Sequence, residues 1–335
     1  MKPQKRIDNP KKIDRRLIES QLKNGDHIIV QFSDTVYSDR MLSKLNKLCA
    51  KYDKSFSIRF YGHYSKVFDC KVVQKIPNVK SLYIDCIIKA ENVDYISKLE
   101  NLERLSLGIY ELKETEILDS ENFKKLTELI IGETKTKAFN LSYLKEFKSL
   151  KFLIISGHTK NINSVSELTK LEYLGLNSIS KVKLGFINSL NKLKTLNFVL
   201  GGRENLDEIE ENNIEELQII RVRGFNSLRN ISKFSSLKTL LIEDQIKMEQ
   251  LDFDKANPNL TDFKLINCNT FKKLSGISNL SSLKHLRIYK TAIDFDSFIK
   301  QPFPESLKIL AFYTTKSKID KTIRARLDEL NYTEH

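Results

Sequence analysis

The chain has 335 residues, 40% hydrophobic and 30% charged, which is enough apolar material for a sizeable core and allows one to three domains. No window approaches the apolar length of a membrane span, and no apolar stretch follows the basic N-terminus. We therefore expect a soluble, cytoplasmic protein with no membrane contact.

The net charge of +13 is unevenly distributed along the chain. Residues 1–25 hold eight Lys/Arg against three Asp/Glu, whereas the remaining residues hold 48 against 40. Nucleic-acid-binding proteins usually concentrate Lys and Arg on one face or in one run, and here the run is terminal. The charge distribution does not favour nucleic acid as the main partner.

The chain begins with a basic segment and a short helix. Residues 1 to about 10 are predicted to be a mobile tail, and Lys11–Lys23 has apolar residues at helical spacing. Asn24 and Gly25 are typical of a helix end, so we predict a short amphipathic helix that covers one end of the fold.

A strand, a helix and a second strand follow. His27–Phe32 and Ser55–Tyr61 are the predicted strands, and Ser38 is the predicted N-cap of the helix between them. Ile58 precedes Leu82 by 24 residues, the period of the later chain, so we interpret this unit as the first turn of a repeat structure.

An L-x-x-L-x-L core recurs eleven times at intervals of 21 to 24 residues. The first positions of these cores are Val79, Leu102, Leu126, Leu150, Leu171, Leu193, Ile214, Leu237, Leu260, Leu283 and Leu307. One such unit cannot bury its apolar face alone, but stacked copies can. The period therefore predicts a solenoid.

The repeats resemble the leucine-rich repeat family, in the short form of bacterial internalin-type and related members. Ile96-x-x-Leu99-x-x-Leu102-x-x-Leu105-x-Leu107 carries the resemblance, as does Leu280-x-x-Leu283-x-x-Leu286-x-Ile288. It implies an α/β fold: a curved horseshoe with a parallel β-sheet on the concave face and short turns or 3₁₀ segments on the convex face. It also implies a binding role, and the compact repeats suggest a bacterial origin.

The chain departs from the family at the position where Asn is usual. That position holds Tyr110, Thr134, His158, Ile179, Gly201, Val222, Gln245, Cys268, Thr291 and Thr315. We expect less uniform turns as a result, with hydrogen bonds from Thr, Cys and His as partial substitutes.

Four domains are predicted: a basic tail and helix (1–25), a strand-helix cap (26–54), the solenoid (55–315) and a C-terminal helical cap (316–335). The last is predicted because Ile319, Ile323, Leu327 and Leu330 lie on one side of a helix. The cysteines Cys49, Cys70, Cys86 and Cys268 lack C-x-x-C spacing, so we interpret them as reduced packing residues, with a disulfide or metal site as the lesser alternative.

Residues that alternate with the core should face outward on the concave sheet, and these are the candidate partner-binding residues. They are Ile130, Phe152, Ile154, Tyr173, Asn197, Gln218, Tyr289 and Tyr313. Apolar and aromatic side chains there are typical of protein interfaces, although sheets favour such residues in any case. We expect a protein partner and a monomeric chain.

A second candidate is a polar cluster in the turns after the strands, formed by His158, Arg203, Arg221, Arg223 and Glu243. It could bind an acidic peptide or a phosphate, or be an ion-pair network that holds irregular loops. Together with the basic tail it supports an alternative function, electrostatic binding of nucleic acid or another polyanion.

Catalysis has little support. The histidines are far apart, and no catalytic or nucleotide-binding motif occurs. We predict no enzyme activity, no catalytic or metal-binding residues and no cofactor.

Overall fold

One short β-strand per repeat is the basic element of the fold, since each L-x-x-L-x-L core places its last two apolar residues on one face of a strand. The computed structural model describes residues 4–64 and 66–332. The chain divides into two units, Met1–Leu171 and Glu172–His335. The four-domain scheme predicted from the sequence stays a prediction.

In the first unit seven strands pair in parallel, in sequence order, into one sheet. They are β1 (Gln4–Asp8), β2 (His27–Phe32), β3 (Phe56–Tyr61), β5 (Ser81–Ile87), β7 (Arg104–Ile109), β8 (Glu128–Ile131) and β9 (Phe152–Ser156). Two short strands, β4 (Phe68–Asp69) and β6 (Ala90–Glu91), pair separately.

The connections of the first unit contain three α-helices and several 3₁₀ segments. The α-helices are α1 (Arg15–Lys23), α2 (Asp39–Lys51) and α3 (Asp94–Ser97), and the 3₁₀ segments are Cys70–Lys75, Glu121–Lys125, Leu141–Glu146 and Ile162–Glu167. The Ser38 hydroxyl accepts a hydrogen bond from the Met41 N–H at 3.3 Å, so the predicted N-cap of α2 is confirmed. The predicted end of α1 is confirmed too, with Asn24 at its C-cap.

The second unit repeats the same plan. Its parallel sheet consists of β10 (Tyr173–Asn177), β11 (Thr195–Val199), β12 (Glu216–Ile220), β13 (Thr239–Glu243), β15 (Asp262–Ile266), β17 (His285–Tyr289) and β18 (Ile309–Tyr313). β14 (Gln250–Asp252) and β16 (Lys273–Ser275) pair separately. The connections contain 3₁₀ segments at Gly185–Ser189, Ile231–Lys233 and Ile277–Asn279, and the helices α4 (Phe295–Phe298) and α5 (Ser317–Glu329).

The core of each unit is the pile of repeated aliphatic side chains. Leu150, Leu153 and Ile155 of one repeat are 0% exposed, and the residues between them in β9 are partly exposed. The two-residue alternation therefore separates the core from the outward face as predicted. Of the predicted cap residues, Ile323 and Leu327 are buried, whereas Ile319 is 44% exposed and Leu330 39%.

The predicted N-terminal tail is wrong over Gln4–Asp8, which forms β1. This strand pairs in parallel with β2, with Ile7 beside Val30. Most of its side chains are exposed, so it is held mainly by main-chain hydrogen bonds rather than by burial. Met1 to Pro3 of the predicted tail lie outside the described residues.

The turns after the strands of the second unit are uniform, contrary to the expectation from the missing Asn. The residue directly after each of six strands is left-handed, with φ between 52° and 61°: Ser178, Leu200, Arg221, Asp244, Asn267 and Lys290. Only a few residue types adopt this conformation at low cost. The turn is therefore imposed by the stacking of the repeats rather than by the residue at that position.

Side chains other than Asn bond main-chain oxygens in turns of both units, and for His158 and Cys268 this substitution was predicted. His158 donates to the Gly132 oxygen at 2.9 Å, Gln245 to the Ile219 oxygen at 3.1 Å, and the Cys268 thiol to the Ile266 oxygen at 3.4 Å. Two buried asparagines, Asn230 and Asn257, do the same elsewhere in the repeat.

None of the helices in the described ranges combines the length and the apolar character needed to cross a membrane.

Candidate functional site

Three residues of the predicted apolar patch lie on the outward face of the first unit. Ile130 in β8 and Ile154 in β9 are neighbours in the sheet register, and Phe152 lies two residues before Ile154. All three are partly exposed. Their role in binding a partner stays a prediction.

The other predicted contact residues belong to the second unit. Gln218 is partly exposed in β12, and the rings of Tyr289 and Tyr313 meet edge to face at 6.3 Å. Asn197 is a correction, because its side chain is only 8% exposed and donates a hydrogen bond to the Tyr173 hydroxyl at 2.6 Å. Asn197 therefore cannot present its side chain to a partner as predicted.

His158 is a second correction, since it is fully buried rather than exposed in its turn. Its Nε2–H donates to the Gly132 oxygen, and its Nδ1 accepts from the Phe139 N–H at 3.4 Å. Burial lowers the pKa of His158, so the ring is neutral at pH 7. This residue belongs to the packing of the first unit.

The three arginines of the predicted polar cluster have different environments. The Arg203 guanidinium lies 5.1 Å from the Phe198 ring and donates to the Val182 oxygen at 3.2 Å, so it is turned toward the protein. Arg221 binds Asp244, with Nη2 and Oδ2 2.7 Å apart, while Arg223 is exposed. Glu243 is partly exposed in β13. The Arg221–Asp244 pair favours the interpretation of this region as a loop-holding ion-pair network.

A groove of about 550 Å³ lies at the carboxyl ends of β5, β7 and β8 in the first unit. Its lining includes three tyrosines and three isoleucines: Tyr64, Tyr83, Tyr110, Ile87, Ile88 and Ile130. Tyr64 is 72% exposed, Tyr110 48% and Ile88 40%, so large side chains with apolar surface are exposed together at this groove. We call this the tyrosine groove.

Two glycines form the floor of the tyrosine groove. Gly108 in β7 and Gly132 after β8 are so close that a Cβ atom on Gly132 would lie 2.8 Å from the Gly108 Cα. No side chain therefore fits between the two strands at this level, and a ligand could lie directly on the main chain. The three tyrosines line the same groove as these glycines.

A bulge in β5 supplies one wall. The register between β5 and β7 shifts between Ile84 and Ile87, and Cys86 within it is left-handed, with φ 53°. Bulges redirect side chains at the ends of strands. Here the bulge leaves Cys86 and Ile88 exposed beside the groove, so the predicted packing role of Cys86 is wrong, while the other three cysteines are buried.

Asp85, which lines the groove, is held in an ion pair with Arg59. The Arg59 Nη2 lies 2.7 Å from the Asp85 Oδ1 and 3.9 Å from the Cys86 sulfur, and the Arg59 guanidinium is stacked 4.6 Å from the Tyr61 ring. Burial alone would lower the pKa of Arg59, but the hydrogen bond and charge of Asp85 outweigh it and raise that pKa. The negative charge of Asp85 is thus already paired with Arg59, so a cationic ligand is not needed to compensate it.

Solvent-exposed Glu–Lys ion pairs lie near the groove. Glu111 lies 3.5 Å from Lys89 and 3.9 Å from Lys135, and Glu133 lies 2.6 Å from Lys137. Such pairs contribute little to folding stability because solvent screens them. An apolar centre inside a charged rim is the usual anatomy of a protein-binding surface.

Ile130 is the one groove-lining residue that was predicted as a partner contact. Tyr64 stands in the conspicuous run Phe60-Tyr61-Gly62-His63-Tyr64, and Tyr110 occupies a position where the family has Asn. An exposed aromatic at a turn position normally filled by a small polar residue was a usable signal.

Within residues 4–64 and 66–332, no group of three His, Cys, Asp or Glu side chains is placed to hold a metal ion. His335 lies outside the described residues.

No family model and no curated protein matches the sequence. Solved structures do match, and the likeness is one of fold. The complex of TLR13 with a single-stranded RNA matches at 19% identity and a TM-score of 0.57, over 85% of this chain but only 45% of that one. The internalin inlF of Listeria monocytogenes matches at 16% identity over 77% of both chains, with a TM-score of 0.44. A leucine-rich repeat protein of Leptospira interrogans matches at 17% identity over 87% of this chain and 90% of that one, with a TM-score of 0.40.

The repeated core, one parallel strand per repeat and 3₁₀ segments in many of the connections define a leucine-rich repeat solenoid. The chain has a leucine-rich repeat fold, so the fold that the sequence resemblance implied is confirmed.

Proposed function

We propose that the chain is a non-enzymatic interaction module that binds a protein partner through the outward face of its sheet, centred on the tyrosine groove. The single observation that carries this proposal is the clustering of Tyr64, Ile88 and Tyr110, each at least 40% exposed, around one groove. Clustering these side chains in contact with water does not stabilise the folded chain, whereas a partner that covers them removes their apolar surface from water and so stabilises the complex.

The chemistry of the groove favours an apolar anchor from the partner. Tyrosine supplies a large, rigid contact area with a polar tip, and it is enriched among the residues that dominate interface energies. Asp85 is paired with Arg59, and the rim charges pair with one another. Among the described residues that line the groove, the charges of Asp85 and Glu133 are therefore already paired.

The alternative is electrostatic binding of nucleic acid or another polyanion through the basic tail and the arginine turns. It has less support because Arg203 is turned toward Phe198 and Arg221 is bound by Asp244. The RNA in the TLR13 complex is a ligand of that receptor, and the likeness to it is one of fold at 19% identity.

The proposal can be tested by comparing the proteins that the wild type and two variants capture from a lysate of the source cell. The groove variant is Tyr64→Ser with Tyr110→Ser, and the matched control is Leu17→Ser with Ile246→Ser, which removes two equally exposed apolar side chains elsewhere. We expect a protein that is retained by the wild type and by the control variant but lost from the groove variant.

The captured protein, once purified, must then cover the groove. Cys86 is the exposed thiol, so its alkylation by a maleimide reports on access to this site. We expect the partner to slow alkylation of Cys86 in a saturable manner. Equal capture by all three proteins, or a partner that leaves the alkylation rate unchanged, would overturn the proposal.

A further inference from the structure

The first strand of the sheet, β1 (Gln4–Asp8), has a neighbouring strand on one side only. It pairs in parallel with β2 and stands at the end of the strand order. Four of its five residues are exposed, and the fifth, Ile7, is partly exposed. A strand in this position presents a row of main-chain hydrogen-bonding groups to its surroundings.

The hydrogen bonds around β1 identify which main-chain groups are open. Asn9, directly after the strand, donates its N–H to the Gln31 oxygen of β2 at 2.9 Å. Alternate residues of a strand point their main-chain groups to the same neighbour, so the set that points away from β2 consists of Gln4, Arg6 and Asp8. Over the part of the chain that the structure describes, the N–H and C=O groups of this set have no hydrogen-bond partner.

The open edge has a net positive charge. Residues 4–16 contain six Lys or Arg against two Asp. One of these carboxylates, Asp8, accepts hydrogen bonds from the Gln31 side chain and, at 3.3 Å, from the Tyr61 hydroxyl, so it is turned toward the sheet. The Arg6 side chain is exposed. A segment that lies along β1 therefore meets a basic surface.

The two faces of β1 differ in character. Ile7 lies beside Val30, a core residue that is 0% exposed, whereas Arg6 lies beside Ile29 on the opposite face. Successive side chains of any strand point to opposite faces. A segment paired with β1 thus places one set of its side chains next to Ile7 and the other set next to Arg6. Apolar residues suit the first set, and acidic residues suit the second.

From this arrangement we infer that β1 is a docking strand for an extended acidic segment of a protein partner, which pairs with its open edge and continues the sheet by one strand. Main-chain hydrogen bonds to Gln4, Arg6 and Asp8 hold the segment, and the alternation of apolar and acidic side chains selects it. Opposite charges across a strand pair favour the correct partner. This site goes beyond the proposed function and does not depend on the tyrosine groove.

A second copy of the chain and a nucleic acid fit this edge less well. Two β1 strands paired with each other bring the Lys5 and Arg6 side chains of both copies close together, and like charges in a strand pair are unfavourable. The phosphates of a nucleic acid are acceptors only, so they leave the C=O groups of the edge without donors. Main-chain pairing, rather than charge alone, distinguishes this site from one for a polyanion.

Peptides with altered side chains or altered main chain test the site. Each contains a tryptophan, whose fluorescence reports on the peptide alone because the chain has none. The parent peptide alternates valine and glutamate, and a second peptide has lysine in place of glutamate. Two further peptides are the parent with N-methyl groups on the amides of either the valines or the glutamates. A single-stranded oligodeoxynucleotide is the last probe.

We expect the parent peptide to bind at low ionic strength and the lysine peptide to bind far more weakly. The amides of the valines and those of the glutamates point to opposite edges of the peptide strand. Since only one edge meets β1, one of the two methylated peptides should bind as the parent does, and the other should not bind.

Two substitutions at one position separate charge from main-chain pairing. Arg6→Gln removes the charge and keeps the N–H group, whereas Arg6→Pro removes both. Because this N–H points away from β2, neither change breaks the pairing of β1 with β2. The control is Lys192→Gln, which removes one charge from an exposed position in the second unit.

We expect Arg6→Gln to weaken binding of the parent peptide about threefold, the size of an exposed ion pair. Arg6→Pro should weaken it about fivefold further, the size of one main-chain hydrogen bond. The control should bind as the wild type does, and circular dichroism should show that all variants fold.

Several results would overturn the inference. They are no binding of the parent peptide, equal binding of the two methylated peptides or of the lysine peptide and the parent, equal affinities of Arg6→Gln and Arg6→Pro, or binding of the oligodeoxynucleotide alone. A wild-type dimer in sedimentation equilibrium that Arg6→Pro dissociates would also overturn it, because the edge would then bind a second copy. None of these results depends on whether the groove variant loses its partner.

Discussion

The Nε2–H of His158 donates a hydrogen bond of 2.9 Å to the main-chain oxygen of Gly132, one repeat earlier in the chain. The same ring accepts from the Phe139 N–H through Nδ1 and contacts the Phe139 ring edge to face at 5.0 Å. A neutral imidazole is suited to both tasks because one nitrogen donates while the other accepts. His158 is thus fully buried and links two neighbouring repeats by a hydrogen bond.

Replacing His158 by alanine should lower the free energy of unfolding by about 3 kcal/mol, because a buried ring is lost and the Gly132 oxygen loses its partner. Urea denaturation followed by circular dichroism measures this. The control is His285→Ala, where the partly exposed bond to Asp262 should contribute less than about 1 kcal/mol. Equal effects for the two variants would contradict the structural role of His158.

Stability should fall as the pH drops below about 6.5, the ordinary pKa of histidine. Burial lowers the pKa of both His158 and His63, so between that lowered value and about 6.5 the unfolded chain binds protons that the folded chain does not. Stability therefore rises with pH through this window and is fully present above it.

Urea midpoints at pH values between about 5.5 and 7.5 test this dependence above the range where carboxylates titrate. We expect His158→Asn, which retains a donor near Gly132, to show a shallower slope than the wild type. A slope that is unchanged in this variant and in a His63→Asn variant would assign the pH dependence to other groups.

Replacing Gly201 by alanine should destabilise the chain by about 3 kcal/mol. Gly201 has φ 74°, and a Cβ atom there would lie 2.2 Å from the Ile179 oxygen, so main chain would have to move. Gly185 is the matched control, because no atom lies within 4 Å of its Cβ position. Thermal denaturation should therefore separate Gly201→Ala, with a much lower Tm, from Gly185→Ala, which stays close to the wild type.

One thiol of four should react quickly in the native protein. Cys86 is exposed, whereas burial raises the pKa of Cys49 to about 12, that of Cys268 to about 11 and that of Cys70 even further. Thiolate, the reactive form, is therefore scarce at the buried positions. Mass spectrometry after brief alkylation should show one label, lost in Cys86→Ser, and four in urea; rapid labelling of a second native thiol would contradict the burial described.

The repeat fold could be read from the sequence because its evidence is periodic. Within each L-x-x-L-x-L core the alternation of apolar residues indicates which side chains are buried, and the repetition of the core confirms the pattern. The ends of α1 and α2 have residues with local capping roles, such as Ser38. β1 could not be found this way. Only Ile7 in it is apolar, and its pairing with β2 depends on main-chain groups that all residues share.

The tyrosine groove was missed for a different reason. It depends on the bulge at Cys86 and on the close approach of Gly108 and Gly132, which are properties of backbone register rather than of composition. His158 could equally have faced solvent by sequence alone, and its inward position follows from the need of the Gly132 oxygen for a donor. The buried side chain of Asn197, bonded to Tyr173, illustrates the same limit.

The hydrogen bonds from turn side chains to the preceding repeat also affect how the solenoid unfolds. His158 to Gly132, Gln245 to Ile219 and Asn257 to Ile231 each span 26 residues. A repeat that opens leaves its hydrogen-bond partner in the neighbouring repeat buried and unpaired, whether that partner is the donor or the acceptor, so the loss spreads to both neighbours. Unfolding within a unit should accordingly propagate from one repeat to the next, instead of occurring as independent losses of single turns.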